Sequence, residues 1–240
     1  MKYTALLAGE AGLALIAACG GGATAPAEAQ DTEAAAPAAA PAEIVLDASL
    51  AEVNGGAYSL ERTHAFLTWK VGHQRGISDY TVQFGDFDAD LSFDPSDPAA
   101  STLSVTINPL NLIVNYPGDY KAGHADSPYE TWAEDMARNE RWLNADNFPD
   151  ITFTSTDVSV TGSNTGTVTG DLTFLGVTQP VTLDVTYNGV GGAPWFGDRD
   201  LIGFNAKTTI NRSDFGNTTS IPGITDAVEI EFSGEFLQDE

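Results

Sequence analysis

Apolar residues recur at every second position in one segment of this chain after another. Such alternation is typical of β-strands that bury one face and expose the other. Turn-forming pairs such as Asn188-Gly189 and Pro222-Gly223 separate several of the segments. About eight strands of this kind predict either a closed antiparallel β-barrel or a two-layer β-sandwich. The alternating segments are 65–71, 103–107, 151–153, 168–174, 181–187, 202–210 and 228–236.

One stretch departs from the period of two. Segment 127–130, Ser-Pro-Tyr-Glu, places Ser at an N-cap, Pro at the first helical position and Glu at the third, which forms a capping box. Trp132, Met136 and Leu143 follow at helical spacing. We therefore predict a helical insertion from residue 128 to about residue 143, lying at one mouth of a barrel.

The N-terminal residues predict export. Lys2 precedes an apolar run of small residues, 5–18, which is typical of a secretory signal peptide and too short to cross a bilayer as a mature helix. Ile-Ala-Ala before Cys19 resembles a bacterial lipobox, so we predict a lipoprotein signal peptide over 1–18 and lipid attachment at Cys19. Glu10 inside the run leaves open ordinary cleavage after Ala29 instead.

The predicted lipid on Cys19 indicates where the protein should reside. Residues 19–43 are rich in Ala and Pro, so we expect a disordered tether that leads to a folded domain over 44–240. Two acyl chains anchor a protein stably where one does not. We expect a periplasmic protein held at a membrane, and the outer membrane is favoured because Gly20 offers no inner-membrane retention signal.

The charge of the chain argues against nucleic-acid binding. The formal net charge is −24 at pH 7, with only 10 Lys and Arg residues against 34 Asp and Glu residues. A surface that binds phosphates needs clustered Lys and Arg side chains. Composition leaves the oligomeric state open, and a homodimer is one of the states it allows.

Several ordered motifs resemble one known family. Segment 169–183, TGDLTFLGVTQPVTL, is similar to the T-G-x-L-T-x-x-G-V-T-x-P-V stretch of the YceI-like, polyisoprenoid-binding family. Segment 211–216, NRSDFG, resembles the R-x-D-F-G turn of that family, and 148–155, FPDITFTS, resembles its F-P-x-x-x-F-x-S strand entry. His64 and His73 resemble its opening histidine pattern, although Ala65 replaces the usual Ser. The resemblance covers residues 57 to 236.

This resemblance implies a fold and a ligand. The implied fold is all-β: a lipocalin-like eight-stranded antiparallel β-barrel with a helical insertion. The implied function is to bind, carry or store a long isoprenoid, an isoprenoid quinone or a similar amphiphile in the bacterial cell envelope. An apolar barrel interior suits such a guest, because each buried methylene contributes about 0.8 kcal/mol.

The candidate ligand-binding residues are the inward-facing apolar side chains, together with two residues of the helical insertion. For each of them, ordinary core packing is the alternative. His73 shares a strand face with Trp69 and could hydrogen-bond a lipid headgroup, or it could be a structural histidine. The set is Leu67, Trp69, Val71, His73, Phe84, Val105, Ile107, Trp132, Met136, Phe153, Leu172, Phe174, Val185 and Tyr187.

No catalytic or metal motif emerges from the sequence. His64, His73 and His124 match no metal-ligand spacing. Segment 86–90 resembles the opening of a calcium loop, but Leu91 stands where such a loop requires Gly. Arg212 is expected to make local hydrogen bonds that fix a strand connection. We predict a lipid-binding protein without catalytic residues, metal or other cofactor. The alternatives are a lipid isomerase or cyclase, and a structural surface protein whose barrel is solid.

The anchor prediction can be tested directly. Labelled palmitate should be incorporated into the wild-type chain, and Cys19→Ser should abolish that incorporation because the thioether cannot form. Radiolabelling followed by electrophoresis measures this. Equal labelling of the variant and the wild type would contradict the assignment.

Overall fold

The computed structural model describes residues 44–240, so the predicted signal peptide, Cys19 and the tether lie outside the described residues. None of the helices in the described part is long and apolar enough to cross a bilayer. The strand segments are β1 (Gly56–Leu60), β2 (Phe66–His73), β3 (Ser78–Phe84), β4 (Phe87–Phe93), β5 (Thr102–Ile107), β6 (Leu112–Val114), β7 (Ile151–Val160), β8 (Thr165–Phe174), β9 (Val177–Gly191), β10 (Leu201–Asn211) and β11 (Ile224–Gln238). The α-helices are α1 (Tyr120–Gly123) and α2 (Trp132–Arg138), and short 3-10 helices lie at Ala48–Glu52, Arg62–His64, Pro98–Ala100, Pro194–Phe196 and Arg212–Phe215.

The strand segments combine into eight long antiparallel strands. The 3-10 helix Arg62–His64 interrupts the first long strand, whose two parts are β1 and β2. Segments β3 and β4 together form the second long strand, and β5 and β6 together form the third. Each long strand pairs with the next one along the chain, as in an up-and-down barrel.

Strand β11 closes the sheet. On one edge it pairs with β10 along the whole length of that strand. On its other edge it pairs with β2, as at Ile230↔Trp69, and then with β1, as at Phe236↔Leu60. The first and last long strands are therefore neighbours, and the sheet is a closed barrel. This confirms the predicted barrel and excludes the sandwich.

The helical insertion lies where the barrel wall is incomplete. β7 pairs with β5 only as far as Ile107↔Ile151, and among the described residues β6 pairs with β3 alone. Helix α2 packs beside β6. The chain between β6 and β7 thus covers the gap at one end of the barrel, as the sequence predicted.

The predicted start of the helix was wrong. The helix begins at Trp132, and its N-cap is Thr131, whose Oγ1 accepts a hydrogen bond from the Glu134 amide at 3.0 Å. Ser127 Oγ instead accepts from the Tyr129 amide at 3.2 Å and forms a turn. Ser127 and Thr131 each lie three positions before a Glu. Thr131 forms the cap because it directly precedes the apolar residues that contact the barrel.

The end of the insertion also differs from the prediction. Helix α2 ends at Arg138, so Leu143 lies beyond it. Asn139 has an extended backbone, and its side-chain amide donates to the Asp135 carboxylate at 2.7 Å. Asn139 Oδ1 also accepts a hydrogen bond from the Arg141 amide at 3.0 Å. Such a local bond between an Asn side chain and a following backbone amide competes with helical hydrogen bonding and favours the end of the helix here. Helix α1, capped by Asp119, was not predicted.

Large side chains, several of them aromatic, pack the end of the barrel that lies away from the insertion. Tyr58 and Ile202 have exposed fractions of 1% and 0%. Phe204 lies among Phe93, at 5.8 Å between ring centroids, and Phe236, at 6.0 Å, both edge to face. Edge-to-face pairs add stability beyond the area they bury. One half of the barrel is therefore a largely solid core, with a small cavity of about 140 Å³ beside these rings.

Gly170 tests the packing of the barrel wall. A Cβ there would lie 2.5 Å from Phe153 Cζ and 2.5 Å from the Thr154 carbonyl oxygen. Gly170→Ala should lower the free energy of unfolding by about 1–3 kcal/mol, because the backbone oxygen cannot move aside freely. Urea denaturation followed by circular dichroism measures the loss. Gly191→Ala is the control, since a Cβ at Gly191 meets nothing within 4 Å and should leave stability unchanged. Equal stability of the two variants would contradict this account of the wall.

Candidate functional site

The half of the barrel nearest the insertion encloses a cavity of about 1540 Å³. Phe87, Phe232 and Phe236 line its inner end, next to the solid core. The insertion and the β2–β3 turn line its outer end. Pockets for drug-sized ligands are usually about 300–1,000 Å³. The cavity is thus large enough for a longer guest.

Burial along the strands independently shows that the barrel is hollow here. Trp69, Val105 and Ile230 point inward by strand parity, yet all three are only half-buried. Ile202, which points inward at the other end of the barrel, is fully buried. The half-buried side chains therefore face open space inside the barrel on part of their surface, while the rest of each packs against the core.

The structure places all but two of the sequence-predicted ligand residues on the walls of this cavity. The residues that line it are Leu67, Trp69, Val71, His73, Phe84, Val105, Ile107, Trp132, Met136, Phe153, Leu172 and Phe174. Their contact with a ligand stays a prediction.

Val185 and Tyr187 do not line this cavity. They lie at the other end of the barrel, beside a separate cavity of about 140 Å³ that Leu50 and Phe204 also line. Strand β9 is 15 residues long and passes both halves of the barrel. Alternation predicts which face of a strand a residue occupies, but not its height along the barrel axis.

Several cavity residues were missed by the sequence analysis. Tyr80 and Val82 lie on β3 with the same parity as Phe84, so the alternation rule could have found them. Tyr116 and Trp142 belong to irregular parts of the insertion. No local pattern marks such residues, because only the docking of the insertion onto the barrel brings them to the cavity.

Trp132 is the centre of an aromatic cluster at the outer end of the cavity. Its ring centroid lies 4.8 Å from that of Tyr116, 5.0 Å from Tyr120 and 4.8 Å from His124. Tyr120 also stacks on His124 at 4.6 Å. These contacts hold the two short helices against one another. The cluster forms an aromatic wall on the side that β6 leaves incomplete.

Arg212 fixes the connection between β10 and β11 beside the cavity. Its side chain is buried, and its guanidinium donates to the carbonyl oxygens of Thr225 at 2.9 Å and Ile224 at 3.0 Å. It also donates to Asn217 Oδ1 at 2.9 Å. Burial lowers the pKa of Arg212, and the nearby Asp226 carboxylate opposes that shift. The local hydrogen bonds expected of this residue are present.

Asn217 extends this network to the insertion. Its side-chain amide donates to the carbonyl oxygen of Trp142 at 3.0 Å. Arg212, Asn217 and Trp142 therefore join the β10–β11 connection to the insertion across the outer end of the cavity. Buried polar networks that are fully hydrogen-bonded make a structure rigid at that point.

Two of the three histidines, His64 and His73, lie outside the aromatic cluster that contains His124. His73 is exposed at the outer end of the cavity. His64 lies on the outer wall of the barrel, where its Nδ1 is 2.6 Å from Glu61 Oε2 and 3.8 Å from Glu235 Oε2. Among residues 44–240, the geometry of Glu61, His64 and Glu235 could hold a metal ion. Sequence spacing could not reveal it, since strand pairing brings Glu235 to the other two.

The acidic segment 86–90 belongs to a strand and not to a calcium loop. Within β4 the apolar side chains of Phe87 and Ala89 are buried, whereas the alternating side chains of Asp88 and Asp90 are exposed. Arg62 pairs with Asp86 and Asp88 on this outer face. The aspartates therefore belong to the outer wall of the barrel.

Comparison with known proteins identifies relatives. Residues 58–236 match the family model described as the YceI-like domain. A UPF0312 protein of Pseudomonas putida is 42% identical over 156 residues, which are 65% of this chain and 72% of that protein. A UPF0312 protein of Pseudomonas fluorescens is 39% identical over 170 residues, which are 70% of this chain and 80% of that protein.

Solved structures share the fold. BcnA of Burkholderia cenocepacia has a TM-score of 0.57 at 22% identity, over 75% of this chain and 99% of that one. The YCEI protein of Campylobacter jejuni has a TM-score of 0.55 at 27% identity, over 68% and 88%. A polyisoprenoid binding domain from Saccharophagus degradans has a TM-score of 0.52 at 14% identity, over 76% and 98%. By its matched residues and its fold, the chain belongs to the YceI-like domain family.

Proposed function

We propose that this protein binds a long, mostly apolar lipid of the isoprenoid class inside the barrel, and carries or stores it in the bacterial cell envelope. The observation that carries the proposal is the cavity of about 1540 Å³ in one half of the barrel. A structural protein has no need of such a space, because a solid core is more stable than one with a cavity.

The chemistry of the walls suits a hydrocarbon chain. Inward side chains of the barrel, such as Phe153, Leu172 and Phe174, contribute apolar surface. A drug-sized or larger lipid gains about 0.3 kcal/mol per heavy atom on binding, so a long chain needs no charged anchor. Met136 adds a flexible thioether that adapts to guests of different shape.

Relatives support the ligand class. The Saccharophagus degradans neighbour is described as a polyisoprenoid binding domain. At 14% identity that neighbour establishes a common fold. The assignment of an isoprenoid to this chain is therefore our proposal, supported by the shared barrel and by the dimensions of the cavity.

The polar groups beside the cavity favour binding over catalysis. Arg212 already donates its hydrogen bonds to protein oxygens, and Asp135 accepts one from Asn139. His73 is exposed at the outer end rather than held beside a second catalytic group. We therefore propose a binding protein. From the N-terminal sequence, we also propose that it is exported and held at a membrane through a lipid on Cys19.

Lipid extraction tests the proposal. Organic extracts of the full-length protein, purified from bacterial membranes, should contain an isoprenoid lipid in roughly equimolar amount by mass spectrometry. Phe174→Asp should lose it, since a carboxylate in the cavity wall costs several kcal/mol to bury beside a hydrocarbon.

The matched control for this experiment is Phe66→Asp. Phe66 is 55% exposed and lies on the outside of β2, so its replacement should leave the bound lipid unchanged. If Phe174→Asp does not fold, Val105→Asp replaces it, because Val105 is a half-buried wall residue. A wild-type protein that yields no lipid and binds none in titration contradicts the proposal.

The salt dependence of binding provides a second test. An apolar guest in an apolar cavity gains little from Coulomb attraction, and screening acts only on charges. The affinity for an isoprenoid alcohol should change less than about twofold when ionic strength rises tenfold. Titration calorimetry measures this, and a steep loss of affinity would indicate a charged headgroup site instead.

A further inference from the structure

Three side chains that can ligate a metal ion meet on the outer wall of the barrel, where β11 closes the sheet. They are Glu61, His64 and Glu235, called the trio below, and one ligand atom of each lies within 4.8 Å of the others. Glu61 and His64 lie at the junction of β1 and β2, and Glu235 belongs to β11. The trio lies outside the cavity, so it is independent of the lipid proposal.

Backbone hydrogen bonds hold the trio together. The His64 amide donates to the Glu61 carbonyl oxygen at 3.1 Å and closes the 3-10 helix Arg62–His64. Side chains three positions apart eclipse one another in such a helix, so those of Glu61 and His64 project to the same side. The Glu61 amide also donates to the Glu235 carbonyl oxygen at 2.8 Å. This bond sets the two glutamates opposite one another across the seam between the first and last long strands.

The charge at this point of the seam is unbalanced. Like charges directly opposite one another destabilise a sheet. The other two glutamates of β11 stand opposite lysines: Glu229 opposite Lys70, at 2.7 Å between Oε2 and Nζ, and Glu231 opposite Lys207. The Lys and Arg side chains of residues 44–240 form no ion pair with either glutamate of the trio. The outer face of β11 therefore provides a cation for each of its other glutamates but leaves a place for one here.

The spacing of the ligand atoms suits a tetrahedral metal ion. Zn²⁺ binds imidazole nitrogen and carboxylate oxygen at about 2.0–2.2 Å, so the ligand atoms around it lie roughly 3.3 Å apart. His64 Nδ1 is 2.6 Å from Glu61 Oε2 and 3.8 Å from Glu235 Oε2. The two distances lie on either side of the required spacing, and the His64 ring is exposed and free of close packing. An imidazole ligand favours Zn²⁺ over Mg²⁺ or Ca²⁺, which prefer oxygen ligands alone.

Thr63 orients the most enclosed ligand. Its hydroxyl lies 2.7 Å from Oε1 and 2.8 Å from Oε2 of Glu61, to which it donates a hydrogen bond. Carboxylates that ligate metals are commonly held by such an outer hydrogen bond. The Glu61 side chain is 13% exposed, whereas that of His64 is 60% exposed. Water can therefore reach the open side of the trio and complete the coordination of an ion.

We propose that Glu61, His64 and Glu235 bind a divalent transition-metal ion of the zinc class on the outer wall of the barrel. The ion offsets the repulsion between the two carboxylates and joins the β1–β2 junction to β11. The three ligands converge only when the barrel is closed, so the ion stabilises the folded state. This inference departs from the sequence-based expectation of a protein without metal, because strand pairing supplies the third ligand.

Calorimetric titration of the full-length protein, purified without a histidine tag, tests the inference. Zn²⁺ should bind at equimolar stoichiometry in the presence of excess Mg²⁺, which occupies the acidic surface non-specifically. Glu61→Gln, His64→Ala and Glu235→Gln should each weaken Zn²⁺ binding at least about tenfold. Even the loss of an outer hydrogen-bond partner weakens metal binding by about 10–100-fold, and these variants remove a ligand itself.

Glu229→Gln is the matched control. Glu229 is also an outward glutamate of β11, but its carboxylate is paired with Lys70, so its replacement should leave the affinity for Zn²⁺ unchanged. Thermal denaturation provides a second measurement. Zn²⁺ at about 100 times its Kd should raise the Tm of the wild type and of the control by about 5 °C, and that of the trio variants by much less.

Proton NMR of the histidine rings needs no variant that could fail to fold. The chain has three histidines, and equimolar Zn²⁺ should shift the ring signals of His64 and leave those of His73 and His124 in place. If Zn²⁺ does not bind in excess Mg²⁺, the trio is only a His–Glu pair and the inference is wrong. Unchanged affinity in the trio variants, or a shift at another histidine, would also overturn it. Each of these outcomes leaves the lipid-binding proposal standing.

Discussion

The pairing of β11 on both of its edges is the interaction on which the rest of this structure depends. One edge of β11 pairs with β10, and the other pairs with β2 and β1. Closure leaves no long unpaired edge, which in an open sheet would invite pairing with other chains. It also gives every strand a defined inner face. The solid core, the cavity and the position of the insertion all follow from that enclosure.

One pattern of alternation builds two different interiors. At one end, aromatic residues such as Phe93 and Phe204 meet edge to face and fill most of the barrel. At the other end, the wall between β6 and β7 is incomplete, and the insertion spans it with the cluster around Trp132. The space between the solid core and this cluster is the cavity. Its inner end is thus set by Phe87, Phe232 and Phe236, and its outer end by the insertion.

Hydrogen bonding divides the polar groups near the cavity into two classes. Arg212 is buried with its donors directed to protein oxygens, so it stabilises the β10–β11 connection and joins it through Asn217 to the insertion. Trp69, Tyr80 and Trp132 are buried without acceptors. In a low-dielectric interior a satisfied network adds rigidity, whereas an unsatisfied donor is a cost to stability.

The sequence by itself determined the strand faces, the family and part of the cavity wall, because alternation is local and survives in any strand that buries one side. It could not determine the height of Tyr187, which depends on the register of β9, nor the trio of Glu61, His64 and Glu235, which strand closure assembles. The sequence analysis also placed the helix N-cap at Ser127 instead of Thr131. Only tertiary structure decided these points, since contacts between residues far apart in the chain select among local patterns of nearly equal energy.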